Sequence, residues 1–290
     1  MLMPPRLPLS LDSLSDLMAR STGAADLRVG LVDGPVMVGH PGLSRARVEW
    51  FCRRDVADAD ADDVAAVHAT SVAGVLVAER RSGALGICPG VTLVTRSVFR
   101  SPTARSAGVA TWGELADALV ELADAGIRIL NMSLSPAAGT AEGHRAVQDA
   151  LDYVAARGVV VVAAAGNEGA VDGTIVTRHR SVVPVVTYTR QGRPGRMSNI
   201  GRSIGRRGIG VVTDGVMSLG RRGQVLPFGG TSAAAAVVTG ATALIWSELP
   251  KTAPGELIAA LKGGSSRRTS VVPPRMDAWR AFESLLAARR

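Results

Sequence analysis

The run Ala233 to Trp246 carries no charged residue and is apolar at almost every helical position. A helix that is apolar all round must be enclosed on every side, so the chain has to supply layers of structure around it. The glycine-primed turn Phe228-Gly-Gly-Thr-Ser leads into this run and sets one hydroxyl, Ser232, on its first turn. Two readings compete for that serine: a cap on a buried, alanine-rich helix, or a nucleophile held by rigid packing. The nucleophile elbow of Gly-x-Ser-x-Gly hydrolases is excluded, because Ala234 stands where that turn needs glycine.

A chain of 290 residues, 47% hydrophobic, can bury such a helix in one core, and no Pro/Gly/Ser-rich linker interrupts it. The longest apolar runs, 158–166 and 233–246, fall short of the roughly 18 to 20 residues of a membrane span, so none is expected. The opening Met-Leu-Met-Pro-Pro-Arg-Leu-Pro-Leu is broken by prolines and has neither the basic lead nor the continuous apolar core of a secretory signal. With Met1 as the natural start, a cytoplasmic location is expected. Cys52 and Cys88 form neither a disulfide framework nor a metal knuckle. They read as packing residues, with one mutual bridge left open. The net charge of +8 comes almost wholly from arginine, since Lys251 and Lys262 are the only lysines. Aromatics make up 3% of the chain and do not interleave with the arginine pairs, which argues against a nucleic-acid groove. A basic rim suited to an acidic peptide and a merely solvated surface both stay open.

From residue 27 onward, apolar runs alternate with amphipathic stretches, the pattern of a parallel sheet covered by helices on both faces. Strands are expected over 27–32, 91–98, 127–132, 159–165 and 182–187, with helices over 64–79, 112–125 and 143–156. Short strands and turns follow over 192–230, then the Ser232 helix and two amphipathic helices over 254–262 and 276–288. A helix-like 11–18 precedes the first strand and is expected to pack outside the sheet. The expected organisation is an N-terminal extension over 1–24, one α/β domain over 25–265, and a C-terminal helix over 266–290 packed on that domain.

Chemistry in an open α/β sheet gathers at the carboxyl ends of the strands. The first strand ends Val29-Gly-Leu-Val-Asp33-Gly34, and His68-Ala-Thr-Ser-Val-Ala-Gly74 lies near a helix start. A third segment, Val160-Val-Val-Ala-Ala-Ala-Gly166-Asn167, closes a buried strand. A serine nucleophile needs a base, a carboxylate to orient that base, and donors aimed at the oxyanion, and His68, Asp33 and Asn167 have those functions. Singly, each has a plainer role, as a turn residue or a satisfied polar group. All four together, in the order Asp, His, Asn, Ser and each at the end of an element, make a catalytic constellation.

These segments resemble the subtilisin-like serine proteases in order and in spelling, with Asn131-Met-Ser-Leu134 and Gly86-Ile-Cys-Pro-Gly90 as further matches. The resemblance covers roughly residues 25 to 265. It implies a three-layer fold with a mostly parallel central sheet, Ser232 as nucleophile, His68 as general base and then acid, Asp33 as its orienting carboxylate, and Asn167 as an oxyanion donor. It implies further that Ser133, Leu134 and Ser135 on one side, and Ala164, Ala165 and Gly166 on the other, flank an extended peptide substrate, which binds as an added strand. Resemblance to the secreted members of the family would imply bound calcium in many cases, but no cofactor or metal is expected here. The acidic run Asp55, Asp58, Asp60, Asp62, Asp63 lacks the glycine and glutamate of a helix-loop-helix calcium site and reads as a solvated loop.

The chain departs from the family spelling at Ala69, where glycine is usual, at Ser71, where a second histidine is usual, and at Ala236, where proline is usual. Altered efficiency is expected from these changes, since none removes a catalytic group. The usual Ala-Pro-Gly turn is spelt Val212-Thr-Asp-Gly215, which leaves that wall of the cleft open. In finer detail, Asp33-Gly-Pro-Val36, His40-Pro-Gly42, Ser198-Asn-Ile-Gly201 and the Phe228 to Ala235 segment look like the proteases that mature cyanobactin-type ribosomal peptides. Macrocyclising members of that group carry a helical insertion between the Asp and His motifs. Here only 35 positions separate Asp33 from His68, so plain cleavage is expected, with a general intracellular protease or a catalytically quiet peptide-binding domain as the rivals.

Overall fold

The computed structural model describes residues 11–51, 63–99, 110–134, 140–264 and 270–289. Helix α1 (Asp12–Arg20) precedes strands β1 (Arg28–Asp33) and β2 (Arg47–Trp50). Helices and strands then alternate: α2 (Val64–Val77), β3 (Thr92–Ser97), α3 (Trp112–Asp124), β4 (Ile129–Met132), α4 (Ala141–Ala156), β5 (Val160–Ala164), α5 (Ile175–Arg178), β6 (Val182–Tyr188), α6 (Arg202–Arg207) and β7 (Ile209–Val212). An antiparallel ribbon of β8 (Met217–Leu219) and β9 (Val225–Pro227) follows, then α7 (Gly230–Glu248), α8 (Pro254–Leu261) and α9 (Ala278–Ala287).

Among the described residues, seven strands form one parallel sheet in the order β2-β3-β1-β4-β5-β6-β7. Successive side chains of a strand point to opposite faces, and the two cores follow that rule. Val29, Leu31, Ile129, Val160 and Val162 join α2 and α7, with α1, α8 and α9 closing the layer. Val32, Leu130, Met132, Val161 and Ala163 join α3 and α4 on the other face.

Helix α7 is the centre of the first layer, with Thr231 to Trp246 all buried. Burying a side chain the size of leucine or valine stabilises the fold by about 1.5 to 3 kcal/mol, so packing rather than helix propensity holds α7 in place. Trp246 satisfies its one polar atom inside, donating Nε1–H to the Thr252 carbonyl at 2.9 Å. The expectation that no apolar segment reaches membrane-spanning length is corrected here: the 19-residue α7 is long and apolar enough, but 89% of its apolar window is buried inside the protein. Its length comes from the polar-looking Gly230-Thr-Ser start and the Ser247-Glu248 end, which the count of purely apolar residues leaves out.

Helix α1 buries Leu14 and Leu17 against α7 and α9, so the segment ahead of the first strand is part of the same core. Strand β2 was not expected. It is the sheet edge, with Trp50 39% exposed, and so lacks the apolar run that marks the buried strands. The order of strands reverses around β1, which lies between β3 and β4. A crevice opens at such a switch point, at the carboxyl ends of β1 and β4.

Candidate active site

Asp33 is the last residue of β1, and alternation from Val29 and Leu31 turns its side chain toward α2 and α7. The carboxylate is fully buried, and its Oδ1 accepts from Gly34 N at 2.8 Å and lies 2.9 Å from His68 Nδ1. Gly34 makes that pairing possible, because a Cβ there would come within 2.4 Å of the Ala65 carbonyl oxygen. The end of β1 therefore lies directly on the first turn of α2. Asp63 caps that turn, accepting from Ala65 N at 2.8 Å.

Most of α2 is buried, whereas the His68 side chain keeps 32% of its surface open to the cleft. Since the carboxylate can only accept, it fixes the proton on Nδ1 and leaves Nε2 of a neutral ring as the acceptor. Burial pushes the His68 pKa down, but the charge of Asp33 and its hydrogen bond outweigh burial and hold it above the ordinary 6.5. The edge of the imidazole meets the ring of Phe228 at 5.7 Å between centroids.

Ser232 is the third residue of α7 and 8% exposed. Its N–H belongs to the first turn, whose N–H groups have no partner within the helix and carry the positive end of the helix dipole. Asn167, just past β5, holds the turn before it: Oδ1 accepts from Thr231 N at 2.9 Å and from the Thr231 hydroxyl at 3.2 Å. A backbone N–H can only donate, so the atom it meets is the amide oxygen, and Nδ2 is left to donate elsewhere. The Thr231 hydroxyl also accepts from Gly166 N at 3.2 Å. No hydrogen bond joins Ser232 to His68 among the described residues, and such contacts often tighten only around substrate.

The flanking residues predicted to bind peptide lie at the ends of the neighbouring strands β4 and β5. Ser133 is buried and accepts from Asn131 Nδ2 at 3.0 Å, while Asn131 Oδ1 accepts from the Thr239 hydroxyl of α7 at 2.9 Å. Leu134 is half-buried beyond it, and Ser135 lies outside the described residues. Ala164 ends β5 half-buried, and Ala165 and Gly166 follow it buried. Gly166 has φ +104°, and a Cβ there would strike Asn199 Nδ2 at 2.3 Å.

Several residues at the site had no role assigned from the sequence, although Asn199 and Phe228 stand in motifs that carry the resemblance. Asn199 braces the loop after β5, with its Nδ2 donating to Glu168 at 2.6 Å and its Oδ1 accepting from Ala170 N at 2.8 Å. A cavity of about 700 Å³ opens beside Asn167 and Gly230, lined also by Met197, Asp214 and Phe228. The Thr213 to Gly215 turn forms part of its wall, with Gly215 at φ +85° and Val216 N donating to the Thr213 carbonyl at 3.1 Å. Ser71 takes a structural role at the position where histidine is usual: its hydroxyl reaches the Val67 and Leu219 carbonyls at 2.9 and 2.8 Å, tying α2 to β8. Ala69 and Ala236 are fully buried. Asp63 is a helix cap, whereas Asp55, Asp58, Asp60 and Asp62 lie outside the described residues, as does Cys52. Cys88 is a free, buried thiol whose pKa burial pushes up to about 12, which leaves it inert. Among the described residues, no three His, Cys, Asp or Glu side chains gather as a metal site.

The segments that build this cluster lie inside a match to the Subtilase family that runs over residues 24–271. The chain belongs to the subtilase family. It is a serine peptidase of that family, 29% identical to Subtilisin DY of Bacillus licheniformis over 240 residues, 81% of this chain and 81% of that one. Its fold is that of the protease domain of PatA, at a TM-score of 0.82 and 24% identity over 92% of this chain and 97% of that one. The prenylagaramide maturation protease PagA is similar in fold, with a TM-score of 0.81 and 21% identity over 94% and 98% of the two chains. The expected subtilisin-like three-layer architecture is therefore the one observed.

Proposed function

We propose that this subtilase is an endopeptidase that cuts a precursor peptide, removing the leader during maturation of a ribosomally made peptide natural product, in the cytoplasm. Ser232 attacks the scissile carbonyl and His68 takes its proton through Nε2. Asp33 stabilises the imidazolium without itself becoming protonated, and His68 then protonates the leaving amine. Asn167 Nδ2 and the Ser232 N–H receive the developing oxyanion, and water releases the acyl group. Ser133, Leu134 and Ala164 to Gly166 supply the edges along which the extended peptide lies, with Ser135 continuing the first of them.

The observation that carries the catalytic part is the buried Asp33 carboxylate hydrogen-bonded to His68, whose ring meets Phe228, four residues ahead of Ser232. Support for precursor cleavage comes from the similarity in fold to PagA, described as a prenylagaramide maturation protease, together with the short Asp33 to His68 interval. The test is to incubate the enzyme with a short precursor peptide encoded beside its gene and with denatured casein, reading both by mass spectrometry. Cleavage of the precursor at one defined bond, with casein left largely intact, is expected. Broad digestion of casein without preference for the precursor makes the chain a general intracellular protease instead.

A further inference from the structure

Beyond the cavity that borders Asn167 and Phe228, a second cavity of about 560 Å³ lies between β7, the start of α1 and the residues just ahead of α9. The two are adjacent along the chain. Thr189 and Thr213 line the first, whereas Arg190 and Val212 line the second. Arg190 N also reaches Asp214 Oδ2 at 3.4 Å, linking the two walls. The far wall of the second cavity is fixed, because residues 274–276 pair with the β7 edge through Gly210 N to Pro274 O at 2.7 Å and Met276 N to Gly210 O at 2.9 Å.

Two guanidinium groups, Arg190 and Arg275, line this second cavity, and neither side chain has an ion pair or hydrogen bond among the described residues. Other arginines of this chain find carboxylates, as in Arg28 with Glu49 at 2.6 Å and Arg96 with Glu121 at 2.6 Å. Among the described residues the lining has one carboxylate, Asp277, which caps α9 by accepting from Arg280 N at 3.0 Å. The described lining thus carries two exposed guanidinium groups against one carboxylate, and paired arginines suit a carboxylate ligand through bidentate hydrogen bonds.

Position identifies the molecule. His68 protonates the leaving amine, and Phe228 packs on His68 while lining the first cavity. The part of the substrate that follows the cut bond therefore leaves over the first cavity and toward the second. We propose that Arg190 and Arg275 hold a carboxylate of the peptide substrate several residues beyond the scissile bond. This rests on the peptidase reading of Ser232 and adds to it a class of substrate: peptides that are acidic after the cleaved bond.

The test uses the full chain carrying Ser232→Ala, which binds substrate without cutting it, and two fluorescein-labelled peptides spanning one bond that the wild type cleaves. They are identical except for three glutamates or three glutamines placed five to seven residues after that bond. Fluorescence anisotropy at low salt is expected to show the glutamate peptide binding about tenfold more tightly, the scale of one or two charge-assisted contacts. Adding Arg190→Gln and Arg275→Gln, two exposed positions where folding is checked by circular dichroism, is expected to abolish the difference while leaving the glutamine peptide unchanged. Equal binding of both peptides, or a preference that survives the two substitutions, overturns the proposal. Failure of the wild type to react with a fluorophosphonate is a separate result that overturns the peptidase reading and leaves the anisotropy comparison, run on any extended peptide that binds, still decisive for the cavity.

Discussion

The two walls of the cleft are built by different means. On one side, the ends of β4 and β5 are buried and cross-braced: Ser133 to Asn131, Asn131 to Thr239 of α7, and Gly166 to Thr231. On the other, loops after β6 and β7 and the β8–β9 ribbon enclose a cavity with exposed side chains such as Met197, at 59%, and Asp214. The first wall is an extension of the core, braced by these hydrogen bonds. The second can change side chains without disturbing that core. On the proposed reading, the packed wall holds the peptide backbone and an oxyanion donor, and the loop wall tunes which peptide is preferred.

Substitutions on the two walls should therefore differ in size and in kind. The largest effect is expected from Asp33→Asn, which removes the charge that offsets burial of His68: kcat/KM falls by about 10⁴-fold. In the wild type, activity rises as pH increases through the His68 pKa, held above 6.5, because the base works when neutral. With the Asp33 charge gone, burial prevails, and the acid limb of the pH profile moves to lower pH. A limb that stays in place contradicts the electrostatic coupling.

Next comes Asn167→Ala, expected to lower kcat by about 10² to 10³-fold with KM little changed, a magnitude established on a member of this same family. A loss confined to KM removes Asn167 from the oxyanion site. Thr239→Val deletes the hydroxyl that donates to Asn131 and leaves a buried acceptor unpaired, so thermal unfolding should report a loss of about 1 to 3 kcal/mol. The smallest effect is expected on the loop wall: Met197→Ala stays within about 0.5 kcal/mol in stability. It changes the ranking of substrates that differ only in the residue after the cut bond. If Met197→Ala unfolds the protein, or Thr239→Val is silent, the division between the walls fails.

The same division governs what the sequence discloses. Strands β1, β4 and β5 are short, largely apolar runs because both their faces are covered, and each has a candidate site residue, Asp33, Ser133 or Asn167, at or just past its end. The position of those residues follows from local spelling and from the family resemblance together. The loop wall shows little periodicity, being glycine-rich over residues 192–230, and its shape depends on distant partners. Asn199 against Gly166 and Glu168, Phe228 against His68, and Thr231 against Asn167 are pairings across 31 to 160 positions that no local pattern encodes. Edge strand β2 is hidden for the opposite reason, because an exposed strand has no apolar run to reveal it.

The most direct test of Ser232 as a nucleophile activated by Asp33 and His68 is intact-mass spectrometry after reaction with a fluorophosphonate. The wild type should gain one phosphonyl group, placed on Ser232 by peptide mapping, and Ser232→Ala should gain none. A wild type that is folded by circular dichroism and stays unlabelled, or that is labelled at another serine, contradicts the account.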